Sequence, residues 1–167
     1  MRAAPVLPLI RNRPTVIVMN ERTTCLSDCL LCDPAAADDY FQRTLVWQDT
    51  LWRLSCVMQG PIPGFAHLEP RRHISFITEL NGPEAATLGS VLARVTRALR
   101  EAADAEKVYV YVFGDHVPHL HFNLAPHRAG DGLRGGPGLL DPLSPDADLA
   151  AHQAVATAVR GTLNTSS

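Results

Sequence analysis

The chain has 167 residues, 46% of them hydrophobic, and a net charge of -2. That suits one core-forming domain, or one domain with a tail, and excludes a disordered chain. Charges of both signs are mixed with no basic stripe, so polymeric nucleic acid is not a suggested partner.

The N-terminal MRAAPVLPLIRNRP has a short apolar run broken by Pro5 and Pro8 and followed by Arg11 and Arg13. It makes a poor signal peptide and is too short to span a bilayer, so a cytoplasmic protein without a membrane partner is expected. Residues 1–24 read as an N-terminal arm holding a short strand at 15–19. Cys25, Cys29 and Cys32 crowd into one segment, with Cys56 apart. In a reducing compartment such a cluster more often binds metal or does redox chemistry than forms disulfides. Residues 29–39 carry the CxxC and an Ala-rich turn of helix.

Strand-like runs follow at 44–47 and 52–58, separated by turn residues 48–50. Cys56 falls among apolar neighbours and reads as core. Gly60, Pro61, Pro63 and Gly64 mark a loop, and 65–69 is a further strand ending at Pro70. A helix is expected over 82–104. Asn81 is placed to cap it, Pro83 lies in its first turn, and Glu84 stands three residues after the cap. Ala85, Leu88, Val91, Leu92, Val95 and Leu99 recur on one face.

Residues 107–113 alternate as a strand, 114–118 turn the chain, and 119–124 form a second strand. Two alternating runs joined by a short turn predict an antiparallel pair, and with the helix an α+β fold built on a mainly antiparallel sheet. Beyond lies a Gly-rich linker with no phosphate-loop pattern. Ser144, Pro145 and Asp146 start a final helix running to about Leu163.

The second strand holds the densest chemistry. Alternation puts His119, His121 and Asn123 on one face and Leu120, Phe122 and Leu124 on the other, towards the core. Three polar groups in a row are costly to bury without partners, so the row asks for a ligand, a metal or a reacting group. The alternative is a partly exposed strand with a wet face. Arg71 and Arg72 read as a solvated pair at a strand end, His67 as a solvated or packed histidine, and His127 and His152 carry no argument.

His119-Leu120-His121-Phe122-Asn123-Leu124-Ala125 resembles the His-φ-His-φ-His-φ-φ motif of the histidine triad (HIT) superfamily, where φ is apolar. Upstream, GFAHLEPRRHI (64–74) is similar to the family's glycine-led strand ending in Pro, two basic residues and His. The likeness spans roughly residues 29–128. It implies a HIT-like fold: about five antiparallel strands, a long helix across them and a C-terminal helical extension. The organisation expected is 1–24 arm, 25–128 HIT-like domain with a zinc-binding CxxC, and 129–167 Gly-rich linker and C-terminal helix.

The CLLC at 29–32 resembles the opening of zinc-containing bacterial members. The resemblance implies zinc held by Cys29, Cys32, His73 and His119, a set that fills a tetrahedral Cys2His2 site. Cys25 is a spare or competing ligand.

The resemblance also implies a nucleotide phosphohydrolase or nucleotidyltransferase. In the family the middle histidine attacks the α-phosphorus of a nucleotide, a role that falls on His121. A neutral imidazole is a competent nucleophile near pH 7. Asn123 replaces the third histidine, where the galactose-1-phosphate uridylyltransferases carry Gln; it can donate to phosphate but supplies no proton. Asp115 and His116 stand where many members have Gln and Ser, and His116 is the candidate acid. Val57 falls near the acidic residue that usually grips the ribose. Two alternatives stay open: a diverged zinc protein with another reaction, such as one in specialised metabolism, and a non-catalytic nucleotide-binding module. A nucleotide-like phosphate is the implied small-molecule partner, in a homodimer paired through the helix and the strand after it. Tyr109, Tyr111 and Phe113 either support that contact or face their own core.

Overall fold

The structure is a computed structural model, and it describes residues 29–113, 117–131 and 145–165. The expected strand at 15–19, Cys25, the turn residues Asp115 and His116, most of the Gly-rich linker and Ser144 lie outside the described residues.

The elements are α1 (Pro34–Tyr40), β1 (Arg43–Gln48), β2 (Trp52–Val57), β3 (Ala66–Pro70), α2 (Gly82–Ala102), β4 (Lys107–Val112), β5 (Phe122–His127) and α3 (Leu149–Thr165). The five strands form one sheet in the order β1-β2-β3-β5-β4, and every neighbouring pair is antiparallel. This is the expected α+β architecture.

Period-two alternation divides the sheet into two faces. Trp52, Leu54 and Cys56 of β2, Ala66 and Leu68 of β3, and Phe122 and Leu124 of β5 belong to one buried core. Val91, Val95, Ala98 and Leu99 of α2 and Val155, Ala156, Val159 and Leu163 of α3 close it. Burial pushes the Cys56 thiol up to about 12, so it stays protonated. The opposite face carries Arg53 and Ser55, His67 and Glu69, and Asn123. Among the described residues no helix is long and apolar enough to cross a membrane.

The fold departs from the sequence reading at the start of β5, in the β4–β5 connection, at the start of α2, at Arg72 and at the start of α3. β5 begins at Phe122, not at His119. Its last partner on β3 is Leu68, and the next stretch of β3 ends in Pro70, which has no N–H to continue a ladder. The chain instead bonds to loops there: Leu120 N–H to the Ile74 carbonyl at 2.6 Å and His119 N–H to that of Val117 at 2.8 Å. The side-chain alternation survives, with Leu120, Phe122 and Leu124 all buried. The connection from β4 to β5 covers 113–121 and is longer than the turn expected.

α2 is present, but Asn81 makes no side-chain cap. Its Oδ1 accepts from Arg72 Nη2 at 3.1 Å, and the same guanidinium holds Glu84 through Nε to Oε1 at 3.2 Å and Nη2 to Oε2 at 3.0 Å. Glu84 is therefore buried while Ala85 is exposed, and Arg72 is paired rather than merely solvated. α3 starts at Leu149, after Asp148 Oδ1 accepts from Ala151 N–H at 2.7 Å. His152 on α3 is buried, its ring nitrogens 3.1 and 3.0 Å from the carbonyls of Val57 and Gly60. It ties α3 to the loop after β2.

Candidate functional site

The CxxC lies on a 3-10 turn, Leu30–Cys32, closed by Cys32 N–H donating to the Cys29 carbonyl at 3.0 Å. That tight turn brings both sulfurs to one side. His73 follows the end of β3 and His119 precedes β5, so the antiparallel β3·β5 pairing brings the two imidazoles to the same end of the sheet. Cys29 Sγ is 3.5 Å and Cys32 Sγ 3.7 Å from His119 Nδ1, and Cys32 Sγ is 3.3 Å from His73 Nδ1. The four donor atoms all lie within 4.8 Å of one another.

The tautomers suit a metal. His119 Nε2 stands 2.9 Å from the Pro70 carbonyl, which only accepts, so the proton is on Nε2 and the lone pair on Nδ1. Burial, with the neighbouring His73, His121 and Arg43, brings His119 down to about 4, against the pull of the Pro70 carbonyl. His73 Nε2 lies 3.1 Å from Ser75 Oγ, and burial lowers its pKa despite Glu79. Two neutral imidazoles offering Nδ1 and two thiols form a donor set that fits tetrahedral zinc, whose bonds of about 2.0–2.3 Å separate neighbouring ligands by roughly 3.3–3.8 Å.

His121 is next on the chain. Its Nδ1 is 2.7 Å from the His119 carbonyl, so Nδ1 carries the proton and Nε2 the lone pair. No described residue pairs with that Nε2. Among the described residues Asn123, 8% exposed, makes one long contact, Nδ2 to the Tyr111 carbonyl at 3.5 Å. The potential acid His116 lies outside the described residues. Val57, which falls near the position of the family's ribose-binding acid, is half-buried at the end of β2.

Sequence reasoning missed a group of charges on the same face. Arg43, Arg53 and Glu69 are buried at 6, 6 and 2% exposure. Arg43 donates to Asp38 Oδ1 at 2.8 Å and to Glu69 at 3.0 and 3.2 Å. Arg53 reaches Glu69 Oε1 at 3.4 Å and Asp38 Oδ2, closing a ring of two cations and two anions. His67 adjoins it, its Nδ1 3.1 Å from Arg43 Nη1. The ring of His67 packs against Phe41, Phe65 and His121, with centroids 6.0, 5.5 and 5.8 Å away. The available signal was alternation: Arg53 with Trp52 and Leu54, and His67 and Glu69 with Ala66 and Leu68, place charges opposite the core.

No family model matches the sequence, and no curated protein does. Solved structures do. A histidine triad protein from Bradyrhizobium japonicum is 27% identical, with 72% of this chain and 90% of that one covered at a TM-score of 0.61. A Zn-bound histidine triad family protein from Mycobacterium smegmatis is 20% identical, with 84% and 98% covered and a TM-score of 0.61. A hypothetical histidine triad nucleotide-binding protein from Sulfolobus tokodaii is 16% identical, with 82% and 93% covered and a TM-score of 0.62. With the sheet order, the histidine-bearing approach to β5 and the 27% identity to the first of these agreeing, the chain belongs to the histidine triad superfamily.

Proposed function

We propose that this protein is a nucleotide phosphohydrolase or nucleotidyltransferase of the histidine triad type, forming a covalent nucleotidyl-histidine at His121. The observation that carries the reading is the 2.7 Å contact from His121 Nδ1 to the His119 carbonyl, which leaves Nε2 as a free nucleophile. The superfamily and the similarity to the hypothetical nucleotide-binding protein from Sulfolobus tokodaii support a nucleotide as the ligand.

In the first step Nε2 of His121 attacks the α-phosphorus. The N–P bond forms as the bond from phosphorus to the leaving group breaks, and that group departs with its electron pair and takes up a proton. His121 keeps its Nδ1–H, and the His119 carbonyl shares the positive charge the ring gains. In the second step water, or an acceptor hydroxyl, attacks phosphorus. The N–P electron pair returns to Nε2, and the attacking group's proton passes to solvent. Asn123 Nδ2 is assigned to a phosphoryl oxygen, and His116 to protonating the leaving group. Cys29, Cys32, His73 and His119 are assigned as the ligands of zinc. Bound there, zinc would supply a structural cross-link between the CxxC turn and the segments that carry His73 and His119. A homodimer belongs to the same reading: β4 is an edge strand, and Val110, Val112 and Phe113 are exposed at 42, 37 and 50%.

Mass spectrometry of the acid-unstable adduct after mixing with adenosine 5′-phosphoramidate tests the reading. One nucleotidyl group is expected on the parent and none on His121→Ala, with zinc content and fold unchanged. Full turnover by His121→Ala excludes the covalent step.

A further inference from the structure

We propose that His67 is a substrate-binding residue of this site, donating a hydrogen bond from Nε2–H to a phosphoryl oxygen of the ligand bound beside His121. The inference rests on the nucleotidyl-transfer reading and adds a residue from a different strand to it.

Three geometric facts carry it. First, His67 and Asn123 are register partners on β3 and β5. The third histidine of the motif is absent at Asn123, and an imidazole stands directly across the ladder from it. Second, His67 packs edge-on against His121, with ring centroids 5.8 Å apart, so the two share one space. Third, its tautomer is set from outside. A guanidinium only donates, so Arg43 Nη1 at 3.1 Å makes His67 Nδ1 the acceptor and leaves the proton on Nε2. Arg43 is itself immobilised by four contacts, one to Asp38, two to Glu69 and this one. No described residue accepts from His67 Nε2.

Burial, the charge of Arg43 and the neighbouring His121 hold His67 down to about 3, so it is neutral throughout the physiological range. A neutral imidazole of this tautomer cannot act as the acid for a leaving group. It can only offer a fixed N–H, which matches a group that stabilises charge on phosphoryl oxygens. Arg43 is then a positioning residue: its charge is balanced within the ring, and it acts on the ligand through His67.

The test uses long-range proton–nitrogen spectra of the histidine side chains in the full-length zinc-loaded protein, from pH 5 to 9, with AMP as the probe. His67 is expected as the Nε2–H tautomer throughout, and its Nε2 resonance should move on the same saturation curve as that of His121. His67→Leu should weaken AMP binding by about tenfold to hundredfold, the size expected for a hydrogen bond to a charged group. His67→Gln, whose amide N–H reaches a similar position, should recover most of that loss, and zinc content should not change in either variant. A His67 that titrates near pH 6.5 or carries its proton on Nδ1 overturns the proposal. AMP moving His121 but not His67 overturns it too and leaves the His121 reading intact. If AMP moves neither, both fall. If AMP moves His67 and no adduct forms at His121, the donor stands and the covalent step is lost.

Discussion

Gly64 lies against Val155. A Cβ built at position 64 stands 2.9 Å from Val155 Cγ1 and 3.3 Å from Pro126 Cγ, and the backbone there has φ of +91°. The loop before β3 thus passes close under α3, and only a residue without a side chain fits both the space and the dihedral. Gly64→Ala should cost about 1–3 kcal/mol from strain and overpacking. Urea denaturation measures it. Adding Val155→Ala should not restore full stability, because the positive φ remains. A Gly64→Ala protein as stable as the parent contradicts this account.

Arg72 and Glu84 give stability an acid limb. The Arg72 hydrogen bonds, outweighing burial, hold Glu84 below its ordinary value of 4.5. A carboxyl depressed in the fold contributes stability that is fully present above the unfolded value and lost as pH falls through the folded one. Arg72 is 36% exposed, so solvent screening limits the pair to about 1 kcal/mol. Melting temperature should therefore fall less steeply below pH 4.5 in Glu84→Gln than in the parent. Parallel curves would show that the pair does not contribute.

The ring of Arg43, Arg53, Asp38 and Glu69 is balanced as a unit. Glu69→Leu leaves two buried guanidiniums facing one carboxylate, and breaking a buried pair from one side costs about 3–5 kcal/mol. Denaturation by urea should show a loss of that order. A loss below about 1 kcal/mol would mean that water reaches the ring and screens it.

Zinc should be held tightly at one ion per chain. Elemental analysis of protein purified without added metal checks the content, and a folded, metal-free sample contradicts it. Cys29→Ser should lower metal content and melting temperature together, because thiolate ligation and folding are linked. Added chelator should reproduce the effect in the parent and change Cys29→Ser little.

Local pattern reached far into this fold. Apolar and polar residues alternate at 52–57 and 66–69, and such alternation specifies a strand and its buried face whatever it pairs with, whereas at 107–112 Val alternates with Tyr, which marks a strand but buries no residue. The period of Val91, Val95 and Leu99 likewise specifies a buried helix stripe. Two failures lie where a partner elsewhere along the chain decides, and a third where a local cap does. The start of β5 is set by Pro70 across the ladder and Glu84 is buried because Arg72 reaches it, while α3 begins only where Asp148, the residue before it, supplies a cap.

The site divides in the same way. The sequence by itself determined that Asn123 lies opposite Phe122 and Leu124, since alternation is a property of one strand, and the motif supplied the expectation of His119 and His121, which precede that strand, and of Cys29, Cys32 and His73. Tertiary structure alone decided which ring nitrogens are free, because the Pro70 carbonyl, the His119 carbonyl and Arg43 each choose a tautomer. It also brought His67 to His121. Strand period tells which way a side chain points, but the neighbour it meets is decided by the register of a strand 56 residues away, between His67 and Asn123.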